Sequence, residues 1–124
     1  MGKKKLNRDL ALKILEVVGA VKDALDDLMD TMFIIYQPDL TQAVHVGDTV
    51  YPEVFAMNVD AYQWQYSADG ETWTNFGSSV PGSKSARVTI DVTNSNKDRY
   101  RRCRLTDADG NIIYTVVGKF TIIE

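Results

Sequence analysis

The segment 62–73 constrains the fold more than any other part of the chain. Its first five residues alternate aromatic and glutamine side chains (YQWQY), and an Asp-Gly pair separates them from a second tryptophan. Because successive side chains of a strand point to opposite faces, Trp64 and Tyr66 share one face, and Gln63 and Gln65 share the other. The pattern predicts a strand with one buried face and a tight turn after it, as in two-layered antiparallel sheets.

A hydrophobic period of two continues through the rest of the chain from residue 42. Polar segments rich in Gly, Asp and Ser separate the apolar runs, as expected of turns between strands. The predicted strands lie near 42–46, 49–57, 61–67, 72–76, 86–92, 99–106 and 112–123. This number and spacing of short strands predict a mainly β fold, specifically an Ig-like antiparallel β-sandwich over residues 38–124.

A long amphipathic α-helix is predicted in front of the sandwich, from residue 6 to about 34. Apolar residues recur there at steps of three and four, which aligns them in one stripe like a coiled-coil seam. The stripe consists of Ala11, Ile14, Val18, Val21, Leu25, Leu28 and Met32. Because such a stripe needs a partner surface, residues 1–37 are predicted to form an oligomerising or anchoring region. We prefer a trimer, although the seam does not decide between two and three strands.

The charge order of this predicted helix is uneven, and either a partner surface of complementary charge or a merely solvated face would account for it. Residues 1–13 carry a net charge of +4, and residues 14–32 carry a net charge of −4. Cations at the N-terminal end and anions at the C-terminal end add to the helix macrodipole, which lowers the stability of an isolated helix. The apolar run 33–36, just before Pro38, either ends the helix or forms a first strand.

Composition narrows the function classes. The chain of 124 residues has a net charge of −3 and a pI near 5.1, which argues against a dedicated nucleic-acid-binding protein. Charged residues interrupt the N-terminal apolar segment, so neither a secretory signal nor a membrane span is expected. With one cysteine, Cys103, the chain forms no internal disulfide, and we interpret this residue as a small buried hydrophobe.

Four segments together resemble a known group of domains. They are residues 46–50 (VGDTV), 62–73 (YQWQYSADGETW), 102–106 (RCRLT) and 109–111 (DGN). They are similar to segments of bacterial and bacteriophage Ig-like modules. The resemblance implies that Trp64 is the core tryptophan of the third strand and that Cys103 occupies the sixth-strand position that is disulfide-bonded in antibody domains. It also implies a corner tyrosine two residues before Cys103, where this chain has Arg101.

The resemblance implies either an exported surface protein or a bacteriophage virion protein, because such modules occur in both. Since no secretory signal is expected, the virion protein is favoured. Combined with the predicted helix, the resemblance favours a non-enzymatic virion structural protein, assembled in the host cytoplasm, that acts as a capsid decoration protein or short head fibre. Its expected partners are other copies of itself and the major capsid protein or tail proteins, with no membrane partner. The alternatives are a tail or baseplate component and an Ig-like adhesin or carbohydrate-binding module.

The polar face of two predicted strands is the candidate binding surface. Gln63, Gln65, Arg102 and Arg104 would face solvent together and could bind an acidic polymer or a glycan, although a merely solvated sheet face explains them as well. Trp73 either stacks on a sugar or packs over the hairpin. We assign it to the fold core, whose predicted members are Trp64, Tyr66, Trp73 and Cys103.

No residue grouping indicates catalysis, a cofactor or a metal. The only histidine, His45, has no predicted metal-ligating neighbour, so we interpret it as a half-exposed strand residue. Asp107 and Asp109 match a fragment of a calcium loop, but the closing glutamate is absent and an ordinary turn accounts for both. A non-enzymatic function is therefore expected.

Overall fold

The computed structural model describes residues 16–20 and 31–124. The chain divides into two compact units, Met1–Thr31 and Met32–Glu124, whereas the sequence pattern placed the junction after residue 37. In the first unit, residues 16–20 are helical. Of the residues assigned to the apolar seam, Val18 lies in this stretch. The seam residues Ala11, Ile14, Val21, Leu25 and Leu28 lie outside the described residues.

The prediction of one long helix from residue 6 to about 34 is wrong. Residues 16–20 are the only helical residues in the part of the chain that the structure describes, and the predicted C-terminal end of the helix is a strand that begins at Phe33. The run Phe-Ile-Ile-Tyr is rich in β-branched and aromatic residues, which suit a strand once a partner is available. Met32, assigned to the seam, lies in the buried core of the second unit.

Eleven short strands make up the second unit. In chain order they are β1 (Phe33–Tyr36), β2 (Ala43–Val44), β3 (Thr49–Val50), β4 (Phe55–Met57), β5 (Ala61–Ser67), β6 (Thr74–Asn75), β7 (Ile90–Asp91), β8 (Tyr100–Thr106), β9 (Ile112–Tyr114), β10 (Gly118–Lys119) and β11 (Thr121–Ile122). The β-rich part of the prediction therefore agrees with the structure.

The largest sheet has five strands and contains the opening sequence feature. Strands β10, β8, β5 and β6 follow one another in this order, and β9 pairs with the other half of β8 beside β10. Strands β5 and β8 pair antiparallel over their full length, with Trp64 opposite Cys103. The turn after β5 contains Gly70 at φ 80°, and the Asp69 carboxylate accepts hydrogen bonds from the main-chain N–H groups of Glu71 and Thr72.

Three two-stranded ladders complete the unit. Strands β1 and β4 pair antiparallel, as do β3 and β7, whereas β2 and β11 pair parallel. The predicted strand 49–57 is therefore two strands in different ladders, separated by Pro52, which has no N–H to donate. The predicted strand 112–123 is three strands, because β9, β10 and β11 do not continue in one ladder.

One buried cluster receives side chains from every sheet. Trp64 and Cys103 come from the five-stranded sheet, Val44 and Ile90 come from two of the ladders, and the partly buried Ile34 of the third ladder packs against the cluster. Its buried members are Met32, Leu40, Val44, Val54, Trp64, Val88, Ile90, Val92, Cys103, Leu105 and Phe120. Burial of this apolar surface is the main stabilising contribution to the second unit.

Candidate functional site: a stacked arginine on the outer sheet face

The pairing of β5 with β8 separates a buried face from an outer face. Gln65 lies opposite Arg102, and Gln63 lies opposite Arg104. These four side chains alternate with the buried Trp64 and Cys103 and thus share the outer face of the sheet. The four residues that were predicted from the sequence to form a binding surface are therefore neighbours in space.

Arg102 is held between two aromatic rings on this face. Its guanidinium carbon lies 4.1 Å from the ring centroid of Trp73 and 3.9 Å from that of Tyr114. Its Nε donates a hydrogen bond of 2.8 Å to Gln65 Oε1, and Gln65 Nε2 donates one of 2.8 Å to Asn75 Oδ1. We call these five residues, which come from β5, β6, β8, β9 and the residue just before β6, the Arg102 stack.

The stack restricts the conformation of the Arg102 side chain but does not supply acceptors for all of its N–H donors. Each cation–π contact contributes about 0.5–1 kcal/mol at exposed sites and more where water is excluded. Because two aromatic rings and an acceptor for Nε contact the guanidinium, much of the rotamer entropy of the side chain is already lost. Among the described residues, no protein acceptor bonds the two terminal nitrogens, and Arg102 is only partly buried. The stack therefore presents a fixed fork of N–H donors.

The two glutamines support this face and do not form its surface. Gln65 is buried, and its amide connects Asn75 to Arg102. Gln63 is also buried, and its amide nitrogen donates to the carbonyl oxygen of Trp64 at 2.9 Å, with that of Ser83 at 3.4 Å. Of the four predicted surface residues, the structure thus leaves the two arginines accessible.

The sequence reasoning missed Tyr114 and Asn75. Tyr114 pairs opposite Arg104 on the edge strand β9, and its neighbour Ile112, on the same face, is half exposed. Asn75 pairs opposite Gln65. In an extended strand, residues 112 and 114 lie on the same face, so the sequence could place Ile112 and Tyr114 together. No local sequence pattern could show that the Tyr114 ring contacts Arg102.

Arg101 occupies the corner where the family resemblance implies a tyrosine. It is 1 % exposed, and its guanidinium nitrogens donate to the carbonyl oxygens of Asn96 at 2.7 Å and Arg99 at 3.1 Å. Its guanidinium carbon lies 4.4 Å from the ring centroid of Phe120. Burial, reinforced by the charge of Arg99, lowers the pKa of Arg101 to about 10. The arginine thus ties β8 to the preceding turn, so its role is structural.

Two members of the predicted fold core, Tyr66 and Trp73, lie outside the buried cluster. Tyr66 is partly buried, with its ring centroid 5.2 Å from that of Phe76, and the guanidinium carbon of Arg99 lies 4.3 Å from the Tyr66 centroid. Trp73 is half-buried within the Arg102 stack. Trp64 is fully buried, and its Nε1 donates to the carbonyl oxygen of Ser85 at 2.7 Å.

The other candidates for chemistry are structural or solvent-exposed. Burial raises the pKa of the Cys103 thiol to about 12, so it is protonated at neutral pH and a poor nucleophile. His45 is exposed, with its Nδ1 3.6 Å from an Asp48 carboxylate oxygen. Asp107 closes a turn, and hydrogen bonds from the side chain and main chain of Asn111 lower its pKa. Within the described ranges, no three His, Cys, Asp or Glu side chains cluster as metal ligands.

No family model matches the chain, and none of the curated proteins compared with it is significantly similar. Within residues 16–20 and 31–124, no helix has the length and hydropathy needed to cross a membrane.

Proposed function

We propose that this chain is a non-enzymatic structural protein of a bacteriophage particle, specifically a capsid decoration protein or short head fibre. The second unit is the displayed module, and its outer sheet face makes contact with other molecules. Support comes from the resemblance of residues 62–73 and 102–106 to phage and bacterial Ig-like modules. The observation that carries the contact role is the Arg102 stack.

A preorganised side chain favours a contact role for physical reasons. Ordering an arginine during binding costs about 0.5–1.5 kcal/mol, and the stack has already met that cost during folding. A face that binds weakly becomes effective when many copies are displayed on one particle, because the second contact is intramolecular. Decoration of a capsid supplies this multiplicity.

The first unit is the proposed attachment region. Among its described residues, Val17 and Val18 are 63 % and 57 % exposed on the helical stretch 16–20. Apolar side chains exposed on a short helical segment favour burial against a partner. We therefore propose self-association, with a trimer preferred, and attachment to the major capsid protein through this unit.

Particle labelling tests the proposal. Phage particles are purified by density gradient from lysates of cells carrying the gene, and gold-conjugated antibody against the chain is located by electron microscopy. We expect regular labelling of heads. Labelling of tails alone would transfer the protein to the tail or baseplate, and particles without the chain would contradict a virion role.

Two substitutions in the full chain sharpen this test. Val18→Asp places a charge on the exposed apolar side of the helical stretch, so we expect it to reduce incorporation into particles. Arg102→Gln alters the outer sheet face, so incorporation should continue. Equal incorporation of Val18→Asp and the unaltered chain would contradict attachment through the first unit.

The Arg102 stack also favours a second candidate, an adhesin or carbohydrate-binding module. In this case the same face would act without a particle. Specific glycan binding by a chain that is absent from particles would favour this alternative over the decoration role.

A further inference from the structure

The charge of the outer sheet face differs from that of the whole protein. The chain carries 17 Asp and Glu residues against 14 Lys and Arg. None of these carboxylates occurs in the five strands of the large sheet, whereas Arg102 and Arg104 lie on its outer face. A second copy of the chain docked with the same face would bring like charges together. Charge complementarity therefore favours an anionic occupant.

The geometry of the donors favours a carboxylate. A guanidinium presents its N–H groups in a planar fork that matches the two oxygens of a carboxylate. In Arg102, the bond from Nε to Gln65 restricts the orientation of this fork, and the terminal N–H groups have no acceptor among the described residues. The ligand does not have to order the side chain before it binds.

The aromatic rings favour a sugar as the carrier of that carboxylate. Tyr114 remains 45 % exposed although its ring contacts the guanidinium, and Trp73, the second ring in contact with Arg102, is half-buried. Tyrosine and tryptophan combine an apolar ring face with a polar tip. The C–H groups of a pyranose can contact the exposed part of the Tyr114 side chain, beside the ring face that Arg102 covers, while its carboxylate reaches Arg102.

We propose that the Arg102 stack is a binding site for a carboxylated sugar residue, such as a uronic acid unit of a bacterial surface polysaccharide. Arg102 binds the carboxylate, Tyr114 contacts the sugar ring, and Gln65 and Trp73 hold Arg102 in place. The inference rests on the proposed function in one respect, namely that the outer sheet face is the surface presented to other molecules.

Calorimetric titration of the full-length protein with a short oligogalacturonate tests the proposal. The matched ligand is its methyl ester, which has the same sugar rings but no charge. We expect a dissociation constant near or below about 1 mM for the acid and at least about tenfold weaker binding of the ester. A parallel nuclear magnetic resonance titration should shift the indole signal of Trp73 and leave that of the buried Trp64 unchanged.

Two substitutions separate a specific site from general attraction. Arg102→Gln and Arg104→Gln remove the same charge from neighbouring positions of β8. We expect Arg102→Gln to weaken binding about tenfold, and Arg104→Gln by less than about threefold. Arg102→Lys retains the charge but lacks the planar fork, so it should also weaken binding. Arg102→Gln removes two ring contacts and a hydrogen bond, so a somewhat lower Tm is expected; a single cooperative unfolding transition well above the titration temperature shows that each variant is folded.

Several results would overturn the proposal. They are equal losses in the two Gln variants, equal binding of acid and ester, binding of a short oligoglutamate as tight as that of the sugar, and no binding up to about 10 mM oligogalacturonate. The particle-labelling experiment is independent of these titrations. A labelled particle with no sugar binding would refute only the ligand, and sugar binding by a chain absent from particles would refute only the virion role.

Discussion

The side-chain hydroxyl of Thr115 accepts a main-chain N–H of β8 in the gap between strands β9 and β10. Strand β9 ends at Tyr114 and β10 begins at Gly118, and both pair with β8. Between them, Thr115 Oγ1 accepts the N–H of Cys103 at 2.8 Å and donates to the carbonyl oxygen of Val116 at 3.0 Å. Thr115 is buried. We predict that Thr115→Val, which keeps the shape of the side chain, destabilises the second unit.

The magnitude follows from the groups that change. Without the hydroxyl, the buried N–H of Cys103 has no acceptor, which costs about 1–3 kcal/mol. The added methyl group returns about 0.8 kcal/mol of apolar burial. The net loss in the free energy of unfolding is therefore about 0.2–2.2 kcal/mol, with the middle of this range near 1 kcal/mol. In a domain of about 100 residues, a loss of about 1 kcal/mol lowers Tm by roughly 4–8 °C.

The assay compares two variants with the same chemical change. Thr121→Val removes a hydroxyl that donates to the carbonyl oxygen of Thr41 at an exposed position, where water can replace it. We expect urea unfolding to show a change within about 0.5 kcal/mol for Thr121→Val. Hydrogen exchange of the Cys103 amide should accelerate in Thr115→Val alone. Equal stability losses in the two variants, or unchanged exchange, would refute the role assigned to the Thr115 hydroxyl.

Three further predictions concern titration, reactivity and backbone conformation. Hydrogen bonds from Thr72, Glu71 and Ser67 lower the pKa of Asp69 to about 2, so its contribution to stability is present above about pH 4 and is lost as the pH falls towards 2; thermal unfolding should show that the difference between the protein and Asp69→Asn shrinks over this range. Cys103 should react with a thiol reagent at pH 8 only as the protein unfolds, because burial raises its pKa to about 12, and rapid labelling without denaturant would contradict its burial. Gly82→Ala should lower Tm much more than Gly110→Ala, because both glycines have positive φ but a Cβ at Gly82 alone would collide with the main chain of Arg87; equal Tm losses would contradict this packing.

The long strands of the large sheet were predictable from the sequence. Strand β5 has the predicted bounds 61–67, and β8 differs from the predicted 99–106 by one residue at its start. In both strands the side chains alternate over seven residues, which is long enough to distinguish the period of a strand from that of a helix. The two-residue strands of the ladders are too short to show a period, and their existence depends on the partner that each segment meets.

The prediction of a helix up to about residue 34 was wrong because strand pairing, which is not visible in the local sequence, decided the structure of residues 33–36. The spacing of apolar residues favoured a helix through residue 34, but propensity is a weak prior that tertiary pairing overrides. Phe33 pairs with Met57, and Ile34 pairs with Ala56 in the ladder of β1 and β4. The opposed charges of residues 1–13 and 14–32, visible in the sequence, already argued against a stable isolated helix.

The sequence by itself determined which side chains share a face, because alternation in YQWQY and YRRCRLT is a local property of extended backbone. It thus placed Trp64 with the core and Arg102 with the outer face. Only the tertiary structure decided what Arg102 meets there. Gln65, 37 residues away in the chain, becomes its partner through the register of β5 and β8. Trp73 and Tyr114 enclose it because β6 and β9 join the same sheet, and such pairings depend on packing of the whole unit and not on local pattern.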